Sequence, residues 1–260
     1  MSAIARSRLY LIPSPLASPR VRLVCFAHAG AGASTYQPWA APLAAHGVEV
    51  RAAQYPGRES RWGEPLIDSV DVMAERWAEQ WDELAGADGV PVMIYGHSMG
   101  VLVAYEVTRR LQKAGSSRMP TLVVLGARNP PHAPRRFPPL HHLSNDAFLQ
   151  AVAERYGNLP TALLEDAEMR ELIAPVLKAD FKLVDDYAAE SSFDPLTVPL
   201  KVLVGVDDSF TTEAAAGEWA KYTVAGCTVD RVEGGHFFHQ EQKVEMVARM
   251  AKWAEEVAPR

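Results

Sequence analysis

The sequence predicts an α/β fold in which helices cover both faces of a mostly parallel central sheet. Short apolar segments alternate along the chain with amphipathic stretches, the pattern of strands joined by crossover helices. The 260 residues, 48% of them hydrophobic and 22% charged, suffice for one domain with a sizeable core. One proline-rich and helical interval interrupts the alternation, as an insertion between two strands would.

Six short apolar segments, most of them rich in Val, Ile and Leu, are predicted as strands. Residues 91–95 illustrate the pattern, because this apolar run is typical of a buried strand. The predicted strands are 21–27, 48–52, 91–95, 121–125, 200–204 and 228–232.

The stretches that follow the strands are predicted as helices. In residues 70–84, apolar side chains such as Val70, Met73, Trp77 and Leu84 recur at helical spacing. The predicted helices are 36–45, 70–84, 101–111, 146–155, 165–187, 212–222 and 240–257.

Residues 129–195 are predicted to form a helical insertion within a single domain of residues 1–260. Closely spaced prolines stop regular structure at the start of this interval, and no strand is predicted before residue 200. An insertion at the carboxyl edge of a sheet often covers an active site, so we expect it to act as a lid.

Composition argues against several classes of function. The net charge of −6 argues against nucleic acid as the main partner. No apolar run approaches the roughly 18–20 residues of a membrane helix, and the start of the chain lacks the pattern of a signal peptide. The two cysteines, Cys25 and Cys227, cannot build a disulfide framework or a multi-cysteine metal site, so we expect a cytoplasmic protein.

The charge is unevenly distributed along the chain. Residues 1–142 carry a net +4, whereas residues 143–260 carry −10. Between Glu106 and Asp146 there is no carboxylate, although seven Lys and Arg residues lie there. Two interpretations remain open for this interval, a solvated surface and a patch that meets an acidic partner.

Residues 96–100 read GHSMG and match the pattern G-x-S-x-G between a predicted strand and a predicted helix. In such a nucleophile elbow the glycines allow strand and helix to approach closely, and the serine hydroxyl is exposed at the sheet edge. The helix N-terminus also places its positive dipole beside a developing oxyanion. Ser98 is therefore the candidate nucleophile, with a glycine-rich structural turn as the alternative.

A serine hydroxyl needs a base to take its proton, and in this elbow the acid and then the histidine follow the serine along the chain. His236 lies in a Gly-Gly-His loop just after the last predicted strand, from which its imidazole can reach over the sheet edge. His239 is the competitor, but the start of the last helix suits a surface or capping role. The acid is expected after residues 200–204, where periodicity does not separate Asp207 from Asp208.

The first predicted strand leads into a loop of small residues at 27–34. Such a loop can present a backbone N–H that forms an oxyanion hole together with the N–H of Met99. A phosphate-binding glycine loop is the rival interpretation. It is disfavoured because the full G-x-G-x-x-G pattern is absent and no Lys-Ser/Thr follows.

Four motifs, in this order, resemble those of the type II thioesterases of polyketide and nonribosomal-peptide biosynthesis, which have the α/β-hydrolase fold. They are FAHAG at 26–30, QYPGR at 54–58, GHSMG at 96–100 and GGHFF at 234–238. The resemblance extends from about Arg22 to the last helix. The family usually has Pro where Ala27 stands and a second Gly where Ala31 stands.

The resemblance implies a Ser-His-Asp mechanism that needs no metal or organic cofactor. The family often has Gly-Asp-x-Asp where residues 205–208 read GVDD, and its second, catalytic Asp corresponds to Asp208. Ser98 would then be the nucleophile and His236 the base. The N–H groups of Ala29 and Met99 would form the oxyanion hole.

The resemblance also implies acyl or peptidyl carrier domains as partners, and nothing in the sequence requires more than a monomer. Because carrier domains of such systems are generally acidic, Arg128, Arg135 and Arg136 are predicted to contribute to carrier docking. Two further hypotheses remain open. One is a small-molecule carboxylesterase with the same triad, and the other is a non-catalytic carrier-binding protein.

Overall fold

The computed structural model describes residues 5–6, 8–134, 137–157, 159, 164–188 and 194–259. Within these residues eight strands form one sheet in the order β1-β2-β4-β3-β5-β6-β7-β8. Strands β3 to β8 are parallel, whereas β1 and β2 are antiparallel to their neighbours. The strands are β1 Ala5–Arg6, β2 Tyr10–Ile12, β3 Val21–Phe26, β4 Val48–Ala53, β5 Val92–His97, β6 Leu122–Gly126, β7 Leu200–Gly205 and β8 Cys227–Val232.

All six predicted strands are present, and together with the helices they confirm the α/β class. Strands β1 and β2 were not predicted from the sequence. They have only 2 and 3 residues, too few for an alternating pattern, and backbone pairing such as that of Tyr10 with Ala53 holds β2 on the sheet.

The predicted helices are also present, but some of them are divided. The predicted helix at 70–84 breaks at Gln80, and the one at 240–257 breaks at Gln242, where the backbone leaves helical angles while the apolar spacing continues. The predicted helix at 212–222 ends in a 3-10 segment, Glu218–Tyr222. The helices are α1 Gln37–Ala44, α2 Val70–Glu79, α3 Trp81–Ala85, α4 Met99–Lys113, α5 Asn145–Tyr156, α6 Ala167–Asp186, α7 Glu213–Gly217, α8 Phe238–Glu241 and α9 Lys243–Val257.

The core lies between the central strands and two pairs of helices. Every residue of β3, β4, β5 and β6 is buried, as expected of parallel strands that are covered on both faces. Helix α1 packs against α9, and α2 packs against α4. Aromatic side chains fill these layers, for example Phe26 and Trp77, whose ring centroids lie 5.9 Å apart at an angle near the T-shaped optimum.

Helices α5 and α6 lie between β6 and β7 in the chain and pack against each other. Apolar side chains of these helices and of the segment before α5 form a cluster separate from the main core, and this cluster contacts Ala29 in the loop after β3. The buried members of the cluster are Leu140, Phe148, Leu149, Val152, Ala174 and Leu177. The insertion therefore covers the carboxyl end of β3, whereas its movement as a lid stays a prediction.

Helix α4 approaches the sheet so closely that only glycine fits at two positions, one near the end of β5 and one at the start of α4. A Cβ atom on Gly100 would lie 2.1 Å from the carbonyl oxygen of Phe26, and one on Gly96 would lie 2.4 Å from that of Gly100. Between the two glycines, Ser98 has φ of +52°, a left-handed conformation that is strained for a residue with a side chain. Its N–H donates to the Gly126 carbonyl at 2.8 Å, which holds the turn on β6.

Gly100→Ala is expected to lower the free energy of unfolding by about 3 kcal/mol or more, because the added methyl group overlaps backbone that belongs to β3. The matched control is Gly217→Ala in α7, where an added Cβ meets no atom within 4 Å. Removing a helical glycine there should add about 0.5–1 kcal/mol. Urea unfolding measures both changes, and a Gly100→Ala protein as stable as the wild type would contradict the packing argument.

Candidate active site

The carboxyl ends of β5, β7 and β8 bring Ser98, Asp208 and His236 together. The Nε2 atom of His236 lies 3.0 Å from Ser98 Oγ, and its Nδ1 atom lies 3.0 Å from Asp208 Oδ2. The residues meet because parallel strands end at the same edge of the sheet. An imidazole placed between a hydroxyl and a carboxylate can take the hydroxyl proton while its charged form faces the carboxylate.

Asp208, and not Asp207, faces His236. Asp208 is buried, and its second oxygen, Oδ1, accepts the N–H of Phe210 at 2.8 Å, which fixes the orientation of the carboxylate. Asp207 is exposed, and its N–H donates to the Gly234 carbonyl at 3.0 Å. The turn after β7 therefore directs one carboxylate to the imidazole, while the neighbouring backbone holds the loop that carries His236.

Two backbone N–H groups, those of Ala29 and Met99, belong to residues that line the cavity at Ser98. Met99 is the first residue of α4, so its N–H is one of the groups that a helix N-terminus leaves without an intrahelical acceptor. In the described part of the chain no protein acceptor takes either N–H, whereas the N–H of Gly30 donates to Asp180. The Ala29 and Met99 donors can thus serve an anion that develops beside Ser98.

Two cavities meet at Ser98 and His236. The larger, of about 320 Å³, lies beneath α5 and α6, and the smaller, of about 180 Å³, lies beneath the proline-rich segment 129–134. The apolar side chains that line the larger cavity from the insertion are Val152, Leu159, Ile173, Leu177, Phe181 and Val184. A substrate held at Ser98 can extend into both cavities at once.

Charged side chains lie where the two cavities share a wall. Arg128, Arg155 and Asp185 line both of them. Arg128, predicted as a docking residue, is half-buried and borders the cavities that meet at Ser98. The other two predicted docking residues, Arg135 and Arg136, lie outside the described residues.

The described residues contain neither a cluster suited to a metal ion nor a membrane-spanning helix. Within these ranges no three His, Cys, Asp or Glu side chains are grouped to bind a metal. None of the helices described is both long and apolar enough to cross a bilayer. Cys25, buried in β3, and Cys227, in β8, are both free thiols.

Residues 21–253 match the family model of the thioesterase domain. The chain belongs to the thioesterase family. The match runs from β3 into α9 and includes Ser98, Asp208 and His236. It confirms the enzyme class predicted from the sequence, a serine hydrolase that acts on thioesters.

Individual relatives agree with this family. Thioesterase PikA5 of Streptomyces venezuelae is 33% identical over 231 residues, which cover 88% of this chain and 79% of that protein. The probable cadicidin biosynthesis thioesterase of Streptomyces griseus is 34% identical over 224 residues, 86% of this chain but only 60% of that relative. The structure of the type II thioesterase BorB from the borrelidin biosynthetic cluster matches with a TM-score of 0.83 at 28% identity, covering 96% of this chain and 99% of that one. The resemblance to type II thioesterases and the α/β-hydrolase fold are thus both confirmed.

The thioesterase holds the His236 loop through a second histidine, which the sequence analysis did not single out. The Nε2 atom of His97 lies 2.7 Å from the carbonyl oxygen of His236, and its Nδ1 atom lies 2.8 Å from the Tyr95 hydroxyl. Because a carbonyl only accepts, Nε2 carries the proton, and Nδ1 accepts from Tyr95. His97 occupies a variable position of the GHSMG motif, and a histidine beside the candidate nucleophile is the signal that could have drawn attention to it.

Three buried histidines, His28, His97 and His239, pack behind His236. The rings of His97 and His239 stack with centroids 3.7 Å apart, and the His28 ring lies 5.0 Å from that of His239. Burial, reinforced by nearby His236, lowers the pKa of His28 to about 3, and burial lowers the pKa values of His97 and His239 well below the ordinary range. The predicted surface or capping role of His239 is wrong, because α8 turns this residue inward and leaves it 1% exposed.

Acidification from pH 7.5 to 5.5 is expected to destabilise the thioesterase. The three imidazoles have depressed pKa values in the folded chain, so their stabilising contribution is complete above about pH 6.5. It is lost as the pH falls from there toward 3, because the unfolded chain binds protons that the folded chain does not. Each histidine contributes up to about 1.4 kcal/mol per pH unit in this range, and urea unfolding at several pH values measures the sum.

Replacing one of these three histidines measures its contribution to the pH dependence of the unfolding free energy. His239→Phe keeps an aromatic ring but cannot titrate, so the fall in unfolding free energy per pH unit should shrink by about a third. His46→Gln is the control, because it removes one exposed histidine that lies outside the buried cluster. A His239→Phe protein with the same pH dependence as the wild type would overturn this account.

Proposed function

We propose that the chain hydrolyses acyl thioesters carried on the phosphopantetheine arm of acyl or peptidyl carrier domains. Ser98 is the nucleophile, His236 is the general base, and Asp208 is the carboxylate that orients and stabilises His236. The observation that carries the proposal is the hydrogen-bonded series from Ser98 through His236 to Asp208 at the junction of two cavities. The names of the relatives support the biosynthetic context, since one is called a cadicidin biosynthesis thioesterase and BorB comes from the borrelidin cluster.

In the first half of the reaction, Ser98 Oγ attacks the carbonyl carbon of the thioester while His236 Nε2 takes its proton. Asp208 accepts the Nδ1–H of His236, holds the imidazole in the required tautomer and stabilises the imidazolium. The C–S bond then breaks, and the pantetheine sulfur leaves as a thiol with the proton from His236. An acyl ester on Ser98 remains.

In the second half, a water molecule gives its proton to His236 and attacks the carbonyl carbon of the acyl-Ser98 ester. The C–Oγ bond breaks, and Ser98 Oγ recovers the proton from His236. The sum of the two halves converts a thioester and water into a carboxylic acid and a thiol. No oxidant, reductant or further group enters this balance.

Both tetrahedral intermediates carry an oxyanion, which the N–H groups of Ala29 and Met99 stabilise. Such a donor contributes roughly 3–4 kcal/mol to the transition state in comparable hydrolases. The support is that both residues line the cavity at Ser98, and that neither N–H is taken by an acceptor in the part of the chain described. The positive end of the α4 dipole lies at Met99, the first residue of the helix, and also stabilises the oxyanion.

The two cavities suit the two halves of a carrier-bound substrate. The larger one has apolar walls from α5 and α6 and takes the acyl group, because burial of apolar surface favours that side. The smaller one, with Asn129 and Thr211 in its lining, takes the polar pantetheine arm.

Arg135 and Arg136 contact the acidic carrier domain, a proposal that rests on the charge of the sequence. Removal of stalled acyl groups from an assembly line is the corresponding role.

A turnover comparison tests the substrate class. Acyl groups loaded on a carrier protein should be hydrolysed with a higher kcat/KM than oxyesters of the same acids, and Ser98→Ala should abolish this turnover while carrier binding persists. A strong preference for the oxyesters would replace this proposal with a small-molecule carboxylesterase. Unchanged turnover by the Ser98→Ala protein would refute the assigned nucleophile.

Asp208 and its neighbour Asp207 allow a matched comparison that tests the role of Asp208 in the triad. Asp208→Asn should lower kcat by about 10⁴-fold, because an amide cannot hold the imidazole in the correct tautomer. Asp207→Asn makes the same change from carboxylate to amide one residue earlier. Because Asp207 is exposed, this variant should leave kcat nearly unchanged. Steady-state kinetics on one acyl thioester measures both variants, and equal losses would show that Asp208 has no special role.

A further inference from the structure

The QYPGR motif at residues 54–58 binds the backbone of the loop that carries Ala29. Its side chains make one hydrogen bond near the start of this loop, one in the middle and one near the end. The three bonds join Tyr55 Oη to the Ala27 carbonyl at 3.2 Å, Arg58 Nη1 to the Ala31 carbonyl at 3.3 Å, and the Ala33 N–H to Gln54 Oε1 at 3.2 Å. The motif therefore supports the loop on both sides of Ala29.

Arg58 extends this support to helix α6 through a buried ion pair. Its Nη1 and Nη2 atoms lie 2.5 and 2.8 Å from Oδ2 and Oδ1 of Asp180. Asp180 is 0% exposed and Arg58 6%. The same Asp180 Oδ2 accepts the N–H of Gly30 at 2.7 Å, so one carboxylate on α6 binds both the motif and the residue that follows Ala29.

Helix α6 also rests directly on the loop at Gly30. This glycine has φ of +81°, and a Cβ atom added to it would lie 2.8 Å from Leu177 Cδ1 on α6. Leu177 is one of the apolar side chains that line the larger cavity. The helix that walls the cavity is therefore in contact with the loop that supplies the Ala29 N–H.

The ion pair fixes geometry rather than merely adding stability. Desolvation of two charges largely offsets their attraction, so an apolar pair of the same size would serve stability equally well. A guanidinium fork on a carboxylate, in contrast, accepts one planar arrangement. Asp180 thus defines where α6 lies relative to the loop.

We propose that Arg58 and Asp180 are positioning residues that couple helix α6 to the loop carrying Ala29, so that the oxyanion hole is complete only while α6 is docked. The inference rests on the proposed function of the Ala29 N–H. When α6 moves away, Asp180 leaves with it, and the Gly30 N–H and Arg58 both lose the carboxylate that they share. An acyl group too bulky for α6 to dock over it therefore binds but is hydrolysed slowly, so acyl size is selected through kcat.

Charge-neutralising variants test the coupling. Arg58→Gln and Asp180→Asn should each lower kcat for a short soluble thioester at least about tenfold, the effect of about 1.4 kcal/mol on the barrier, with little change in KM. The double variant removes both charges, so that neither is left buried without its partner, and should recover part of the loss. Single variants that are folded and keep wild-type kcat would overturn the proposal.

Arg22→Gln is the matched control. Arg22 forms a similarly buried ion pair with Glu49 and also pairs with Asp88, but it lies near the start of β3, at the opposite edge of the sheet from Ser98. Its loss should lower resistance to urea and leave kcat unchanged. If Arg22→Gln reduces kcat as much as Arg58→Gln does, the effect is one of general stability and the proposal fails.

Hydrogen exchange of the wild-type chain gives a readout that needs neither a variant nor turnover. The Gly30 amide donates to α6, so it should exchange together with the amides of α6 in one opening event. Exchange of Gly30 at a rate unrelated to that of α6 would refute the coupling. If exchange is coupled but no thioester is hydrolysed, the proposed function fails while the mechanical link between α6 and the loop stands.

Discussion

The close approach of helix α4 to the sheet is the constraint on which the site depends. Gly96 and Gly100 allow this approach, and the turn between them holds Ser98 in a left-handed conformation at the end of β5. The strain of that turn is offset by the packing of α4 on the central strands and by the hydrogen bond from Ser98 to β6. Because β7 and β8 end at the same edge, Asp208 and His236 need only short loops to reach Ser98.

The surroundings of His236 distinguish it from three neighbouring imidazoles and suit the proton-transfer role proposed for it. His28, His97 and His239 are buried and neutral, so they add no like charge beside it. Within this described cluster, His236 alone has a carboxylate partner. His97 binds the His236 backbone while Asp208 binds the ring, so the carbonyl and the imidazole are held independently. An imidazole held in this way meets the requirement that catalytic groups be placed before the substrate arrives, as the proposed role of His236 demands.

Sequence periodicity predicted the fold well, because parallel strands are continuous apolar runs and their crossover helices have regular spacing. The elbow motif and the Gly-Gly-His loop identified Ser98 and His236, since both depend on local backbone geometry. The residues alone did not show which of Asp207 and Asp208 is the acid of the triad. Both follow the same strand, and only the three-dimensional turn decides which carboxylate faces inward. The resemblance to a family selected Asp208, the residue that the structure places against His236.

Contacts between residues that lie far apart in the chain could not be predicted from the sequence. Arg58 and Asp180 lie 122 residues apart, and neither periodicity nor spacing relates them. His239 was misjudged for a similar reason: its place at a helix start is local information, whereas its burial depends on how α8 packs on the site. Strand β2 depends on pairing with β4, and β1 on pairing with β2, rather than on a pattern of their own.

The central claim is that Ser98 carries the acyl group between the two halves of the reaction. Rapid quenching of the enzyme mixed with an acyl-carrier thioester, followed by peptide mass spectrometry, measures this most directly. The account predicts a transient acyl mass on the peptide that contains Ser98, formed together with a burst of free carrier thiol. Release of acid and thiol in step, with no acyl mass on any peptide or with the mass on another residue, would contradict it.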